Sequence, residues 1–260
     1  MQFETILFTQ DDGIAELRLN RPQRLNAVTQ QLYDELNAAL TQAEENPDVR
    51  VILLTGEGRA FCVGADLKEH KTGRTAFDRR QYLAGEQAVC KRLLTMKKPV
   101  IAAVNGYALG AGAEMAIASD FIVMAESAKI GLPEVSIADF LGGGVTWLLP
   151  RLVGMAKARE LVFLGEKIDG AEAVRIRLAN RVFPDDTFLD EARAFARQFA
   201  SKPPFSMELA KKQLNFAAES TLDAALCAEL EGMVFVGFTK DWQEGVDAFA
   251  EKRAPVFTGK

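Results

Sequence analysis

Ala15, Leu17 and Leu19 alternate with Glu16 and Arg18, a period of two that predicts a strand with one buried and one wetter face. Arg21-Pro22 ends it. Over residues 29–45 the period changes: Leu32, Leu36 and Leu40 recur every four residues, with Thr29 placed to cap the start and Asn46-Pro47 to stop the run. That is an amphipathic helix. Residues 51–55 (VILLT) and 100–104 (VIAAV) are short apolar runs leading into glycine-containing turns, the pattern of strands buried on both faces. Residues 70–85 between them are polar and weakly patterned, which predicts a loop or partly mobile helix over a cleft.

Beyond Glu134 helical spacing dominates. Helices are expected over 156–164 and over 170–178, the latter after an Asp169-x-x-Glu172 capping box. Pro203-Pro204 then interrupts, and further helices are expected near 206–218 and 222–238. Leu222, Leu226, Leu230 and Val234 form one stripe, which must fold back on the core or pack on another subunit.

The 260 residues, 48% hydrophobic and 26% charged, suffice for a large core. A formal net charge of -5 disfavours a nucleic-acid partner. Cys62, Cys90 and Cys227 are scattered and lack CxxC spacing, so neither a disulfide framework nor a metal site is expected. With no signal-like start and no apolar run of transmembrane length, the expected setting is cytoplasmic and free of membrane spans.

Three segments carry chemistry. In residues 59–69 (RAFCVGADLKE) an apolar strand ends at Gly64, and the N–H groups of Ala65 and its neighbours become free donors if a helix begins there. A plain strand-to-helix connection is the alternative. In residues 105–118 a Gly110-Ala111-Gly112 turn opens an apolar helix with Glu114 in its first turn. If the two turns converge, they make an oxyanion hole for a thioester, although the helix dipole alone favours a carboxylate at Glu114. In the third segment Pro133 restrains Glu134 before the glycines at 142–144, so an apolar setting would tune Glu134 as an acid or base. Those glycines lack a dinucleotide fingerprint, because Trp147 stands where its last glycine would fall. His70, the single histidine, is either a loop residue or a substrate contact. No Gly-x-Ser-x-Gly elbow accompanies it.

The ordered set N-R-P-x-x-x-N over 20–26, F-x-x-G-A-D-L-K over 61–68, N-G-x-x-x-G-x-G-x-E over 105–114 and Pro133-Glu134 resembles the enoyl-CoA hydratase/isomerase, or crotonase, family. The resemblance implies an α/β spiral of repeated ββα units over residues 1–195 and a helical region over 196–260 that drives assembly into trimers or a dimer of trimers. It implies that the Ala65 and Ala111 N–H groups form the oxyanion hole and that Glu114 and Glu134 flank a catalytic water. Both positions are glutamate in family members that hydrate trans-2-enoyl thioesters, so the expected activity is hydration, with isomerase, hydratase-lyase and non-catalytic binding readings behind it. Coenzyme A enters as part of the acyl-CoA substrate and no other cofactor is expected. Its implied contacts are Arg24, Leu25 and Ala27 near the adenine and pantetheine, Ala65, Asp66, Leu67 and Lys68 along the thioester channel, and Gly112 and Gly142 beside it. Phe249 and Lys252 are implied to reach it from this or a neighbouring subunit. The bulk of Phe140, Leu141 and Trp147 argues against the usual short acyl chain and leaves branched, cyclic and aromatic groups open.

Overall fold

The computed structural model describes residues 3–66 and 75–260. Leu67, Lys68 and His70 lie outside the described residues. The chain opens with an antiparallel pair, β1 (Ile6–Asp11) and β2 (Ile14–Leu19), followed by α1 (Gln30–Glu45). Thr29 caps α1, its side chain accepting the Leu32 N–H at 3.2 Å. The same strand-strand-helix order repeats as β3 (Val51–Gly56), β4 (Ala60–Cys62) and α2 (Ala76–Thr95), then as β5 (Val100–Val104), β6 (Tyr107–Leu109) and α3 (Ala111–Ile117). A further pair, β7 (Phe121–Ala125) and β8 (Lys129–Gly131), leads through a short 3-10 turn at Glu134–Ile137 to α4 (Val145–Val153) and α5 (Met155–Leu164).

The two strands of each later pair join different sheets. After β9 (Lys167–Asp169), α6 (Gly170–Arg175) and β10 (Arg181–Phe183), one sheet has the order β1-β2-β3-β5-β7-β10 and the other β4-β6-β8-β9. Apart from the antiparallel β1-β2 and β8-β9 pairs, neighbours run parallel. The chain thus winds as the expected spiral. Every residue of β3 and β5 is buried, which explains their unbroken apolar sequences.

The wetter face expected for β2 is absent. Glu16 is buried because α7 (Phe188–Ala200) covers that side, and Arg193 of α7 bonds Glu16 at 2.8 Å while Arg18 bonds it at 2.5 Å. Two guanidinium groups replace the solvent that an alternating pattern normally signifies.

Of the loop and the helix expected for residues 70–85, the described part takes the helix: residues 76–85 are helical, since α2 begins at Ala76 with a Thr75–Asp78 capping box. Asp169 also caps α6 by accepting the Glu172 N–H, but that helix ends at Arg175, short of residue 178. Three more helices follow: α8 (Pro204–Ala217), α9 (Leu222–Val236) and α10 (Lys240–Glu251). Lys211 of α8 is buried and donates to Leu93 O, Lys98 O and Asp120 Oδ2, the last at 2.7 Å. That contact anchors α8 to the core. The stripe on α9 does not fold back: Leu222, Leu226, Leu230 and Val234 are all exposed.

Candidate active site

The second sheet sets out the site. Parallel strands β4, β6 and β8 lie side by side, and the residues just beyond their carboxyl ends are Val63-Gly64-Ala65, Gly110-Ala111 and Leu132-Pro133-Glu134. Gly110 N–H donates to Gly131 O at 3.2 Å, tying the second end to the third. Ala65, Ala111, Glu114, Glu134 and Gly142 then line one cavity of about 380 Å³.

At the first end, Val28 bridges Ala65 through its N–H to Gly64 O and its carbonyl from Asp66 N–H. Those bonds use one edge of the segment, so the Ala65 N–H is turned to the other. At the second, Ala111 is the first residue of α3, where an N–H has no partner within the helix. Gly110 has φ 55 and ψ -128, a conformation that glycine tolerates and other residues rarely adopt. A Cβ built on Gly64 would stand 3.6 Å from the Ala111 nitrogen, so the two turns do converge.

Glu114 is 2% exposed and Glu134 7%, and both point their carboxyl groups into this cavity. Glu114 Oε1 accepts the Gly142 N–H at 2.6 Å. Glu114 Oε2 and both oxygens of Glu134 have no hydrogen-bond partner among the described residues. Such buried acceptors are expensive unless a ligand or water meets them. Burial raises Glu114 above the usual carboxylate range, the neighbouring Glu86 carboxyl adds to this, and the Gly142 N–H opposes it. Glu134 is also raised, first by burial and then by the charges of Glu86 and Asp139. Each carboxyl group is therefore disposed to hold a proton that an ordinary exposed glutamate would have lost, which suits acid-base work.

The glycines at 142–144 do not form a phosphate turn. A Cβ at Gly143, whose φ is 59, would come 2.7 Å from Glu114 Cβ and 3.0 Å from Cys90 Sγ. The bare backbone is what lets Gly142 reach Glu114.

Several residues expected at the site stand apart from the cavity. Gly112 packs against the Cys62 backbone. Arg24 is exposed, and Leu25 and Ala27 lie in the turn that meets Val63 through the Leu25 carbonyl. The Asp66 side chain pairs with Arg21 at 3.1 Å. Phe249 is 88% exposed, in a groove with Pro203, Trp242 and Phe257, and Lys252 is exposed at the end of α10. Within one chain neither joins the cavity. Phe140 and Leu141 do line it, but Trp147 does not, stacking instead under Arg151 at 3.8 Å.

The α2 wall of the cavity is formed by Arg79, Tyr82, Leu83, Glu86 and Gln87; the first three fall in the segment expected over a cleft, while sequence reasoning missed Glu86 and Gln87. Glu86 is a third buried carboxyl, accepting the Tyr33 hydroxyl at 3.2 Å. Arg79 pairs with Asp139 across the rim at 3.2 Å.

Known proteins share this arrangement of chain. A profile described as enoyl-CoA hydratase/isomerase matches residues 9–260. A chain named probable enoyl-CoA hydratase from Mycobacterium bovis is 40% identical over 258 residues, covering 99% of both chains. The 1,2-epoxyphenylacetyl-CoA isomerase of Escherichia coli is 38% identical over 260 residues, again covering 99% of each. The crystal structure of an enoyl-CoA hydratase from Bacillus anthracis superposes with a TM-score of 0.95 at 36% identity, covering 99% of this chain and 100% of the other. The spiral is thus the crotonase fold, and the chain belongs to the enoyl-CoA hydratase/isomerase family.

Proposed function

We propose that the protein is an enoyl-CoA hydratase, adding water across the 2,3 double bond of a trans-2-enoyl-CoA. The observation that carries this reading is the pair of buried glutamates with unpartnered oxygens facing two backbone N–H donors in one cavity. The thioester oxygen sits between the Ala65 and Ala111 N–H groups, which stabilise the negative charge that grows on it. Glu114 and Glu134 hold the attacking water between them. The ionised carboxylate takes a proton from water as its oxygen bonds the β-carbon, and the double-bond electrons move towards the thioester as an enolate. The protonated carboxyl then delivers its proton to the α-carbon, which restores the carbonyl and balances the addition.

The reaction needs no cofactor beyond the coenzyme A of its substrate. Arg24, Leu25, Ala27, Ala65, Asp66, Leu67, Lys68, Gly112 and Gly142 serve that moiety from one chain. Phe249 and Lys252 serve it from a neighbouring subunit, in keeping with neither lining the cavity of its own chain. Residues 196–260 act as the assembly region of a trimer or dimer of trimers, supported by the exposed apolar side chains of α9 and α10. No described helix is long and apolar enough to cross a membrane, and we place the enzyme in the cytoplasm.

A series of linear, branched and aryl trans-2-enoyl-CoA thioesters tests the reading. Hydration removes the conjugated absorbance and adds the mass of one water. Loss of absorbance at unchanged mass would instead identify an isomerase, and no change with any thioester would overturn the enzymatic reading.

A further inference from the structure

Glu86 is not needed for the proposed chemistry, yet it is held in place beside it. It lies on the buried stripe of α2, is 9% exposed, and lines the same cavity as Glu114 and Glu134. Its Oε2 accepts the hydroxyl of Tyr33, a fully buried residue of α1 that does not line the cavity. Its Oε1 turns to Gly142, where a Cβ would collide with it and would come within 3.1 Å of Glu114 Oε2. The two carboxyl groups therefore converge on one spot beside a backbone N–H already committed to Glu114 Oε1.

Two ionised carboxylates cannot share such a place, since each oxygen is an acceptor and the charges repel at low dielectric. One proton between them completes the network. Tyr33 O–H then donates to Glu86, Gly142 N–H donates to Glu114, and the shared proton joins Glu86 Oε1 to Glu114 Oε2, the oxygen otherwise without a donor among the described residues. We propose that Glu86 is a positioning residue that shares one proton with Glu114, so that the two glutamates act as a singly charged dyad fixing Glu114 for the reaction. The pairing stands on geometry alone, and its part in turnover rests on the hydratase reading.

The surroundings favour one charge over two. From β4 and α2 the dyad faces Cys62, pushed up to about 12 by burial, and Cys90, well above the ordinary thiol value for the same reason. From the segment after β8 it faces Glu134 and Asp139, both acidic, and Arg79 is the cation that lines the cavity among the described residues. Arg79 is already paired with Asp139 at the rim. Glu114 should therefore hold its proton well above the usual carboxylate range.

Infrared difference spectroscopy of the unliganded full-length protein, titrated from neutral into the alkaline range, reads this directly. The parent should lose a carboxylic-acid carbonyl band in an alkaline step that persists in Glu134→Gln, which separates it from the raised carboxyl of Glu134. In Glu86→Gln the amide donates to Glu114 permanently, and that step should disappear. In Tyr33→Phe, which leaves the cavity wall untouched, the step should move to higher pH because the dianion loses a donor. A parent without the step, or a step unchanged in Glu86→Gln, overturns the dyad. Parent turnover on enoyl-CoA is measured alongside: an inactive parent that still shows these titrations would refute the hydratase reading and leave the dyad standing.

Discussion

Ala111→Pro isolates a single backbone donor. Ala111 is the first residue of α3, so its N–H has no acceptor within the helix, and proline there removes no helical hydrogen bond. The preceding residue is Gly110, the type least troubled by a following ring, and Gly64 beside the nitrogen has no side chain to obstruct it. The change in fold stability should stay within about 1 kcal/mol. What is lost is one of the two donors proposed for the enolate oxygen, typically a factor of about 10²–10³ in turnover. Circular dichroism and sizing establish that the variant is folded and assembled, calorimetry that it still binds free coenzyme A, and steady-state kinetics measure the loss. Ala111→Gly, which keeps the N–H, should remain within about threefold of the parent, well short of the loss of a donor. A folded Ala111→Pro enzyme with near-normal turnover would refute the placement of the oxyanion hole.

Three further outcomes are expected. Glu134→Gln should lower turnover by roughly 10²-fold or more. It should also raise Tm increasingly as pH climbs: a carboxyl whose folded pKa is raised stabilises fully below its unfolded pKa, and that contribution is lost as pH rises through the folded value. A melting difference that does not vary with pH would contradict the sign. Lys211→Met leaves the half-buried Asp120 without its cation, which should reduce stability by roughly 3 kcal/mol; a shift in urea midpoint equivalent to under about 1 kcal/mol would show that the anchor is dispensable. Light scattering should find assemblies built from trimers, and Leu230→Asp on the exposed stripe of α9 should dissociate them. An active monomeric parent would remove the role assigned to that stripe.

Strands and helices with clean periodicity were legible, among them the buried runs at 51–55 and 100–104 and the helix capped by Thr29. Glu114 and Glu134 stood out because each sits in a glycine or proline context that constrains it. A cover over the cleft was legible at 70–85, but the carboxyl of Glu86 at its end was hidden by its own chemistry. Tyr82, Glu86, Val89, Cys90 and Leu93 are buried at helical spacing, but a carboxyl occupies a core position of the stripe, so the apolar pattern breaks where the site begins. Thr75 and Asp78, three residues apart, were the signal that could have marked its start. Glu16 misled for a related reason: Arg193, which buries it, is 177 residues away in sequence, and no local pattern announces such a partner.

The second sheet has a consequence for how this site can change. Adjacent parallel strands are held roughly 4.8 Å apart by main-chain bonding, and β4, β6 and β8 each deliver one component from the same end. The ladder works as a ruler, fixing the interval between the first N–H, the second N–H and the carboxyl of Glu134 irrespective of which side chains follow each strand. Residues beyond one strand can then be exchanged to alter the chemistry at that step without resetting the other two, as long as the bond from Gly110 to Gly131 is kept. Variants that lengthen the segment after β8 should therefore mistune proton transfer while leaving the grip on the thioester oxygen intact.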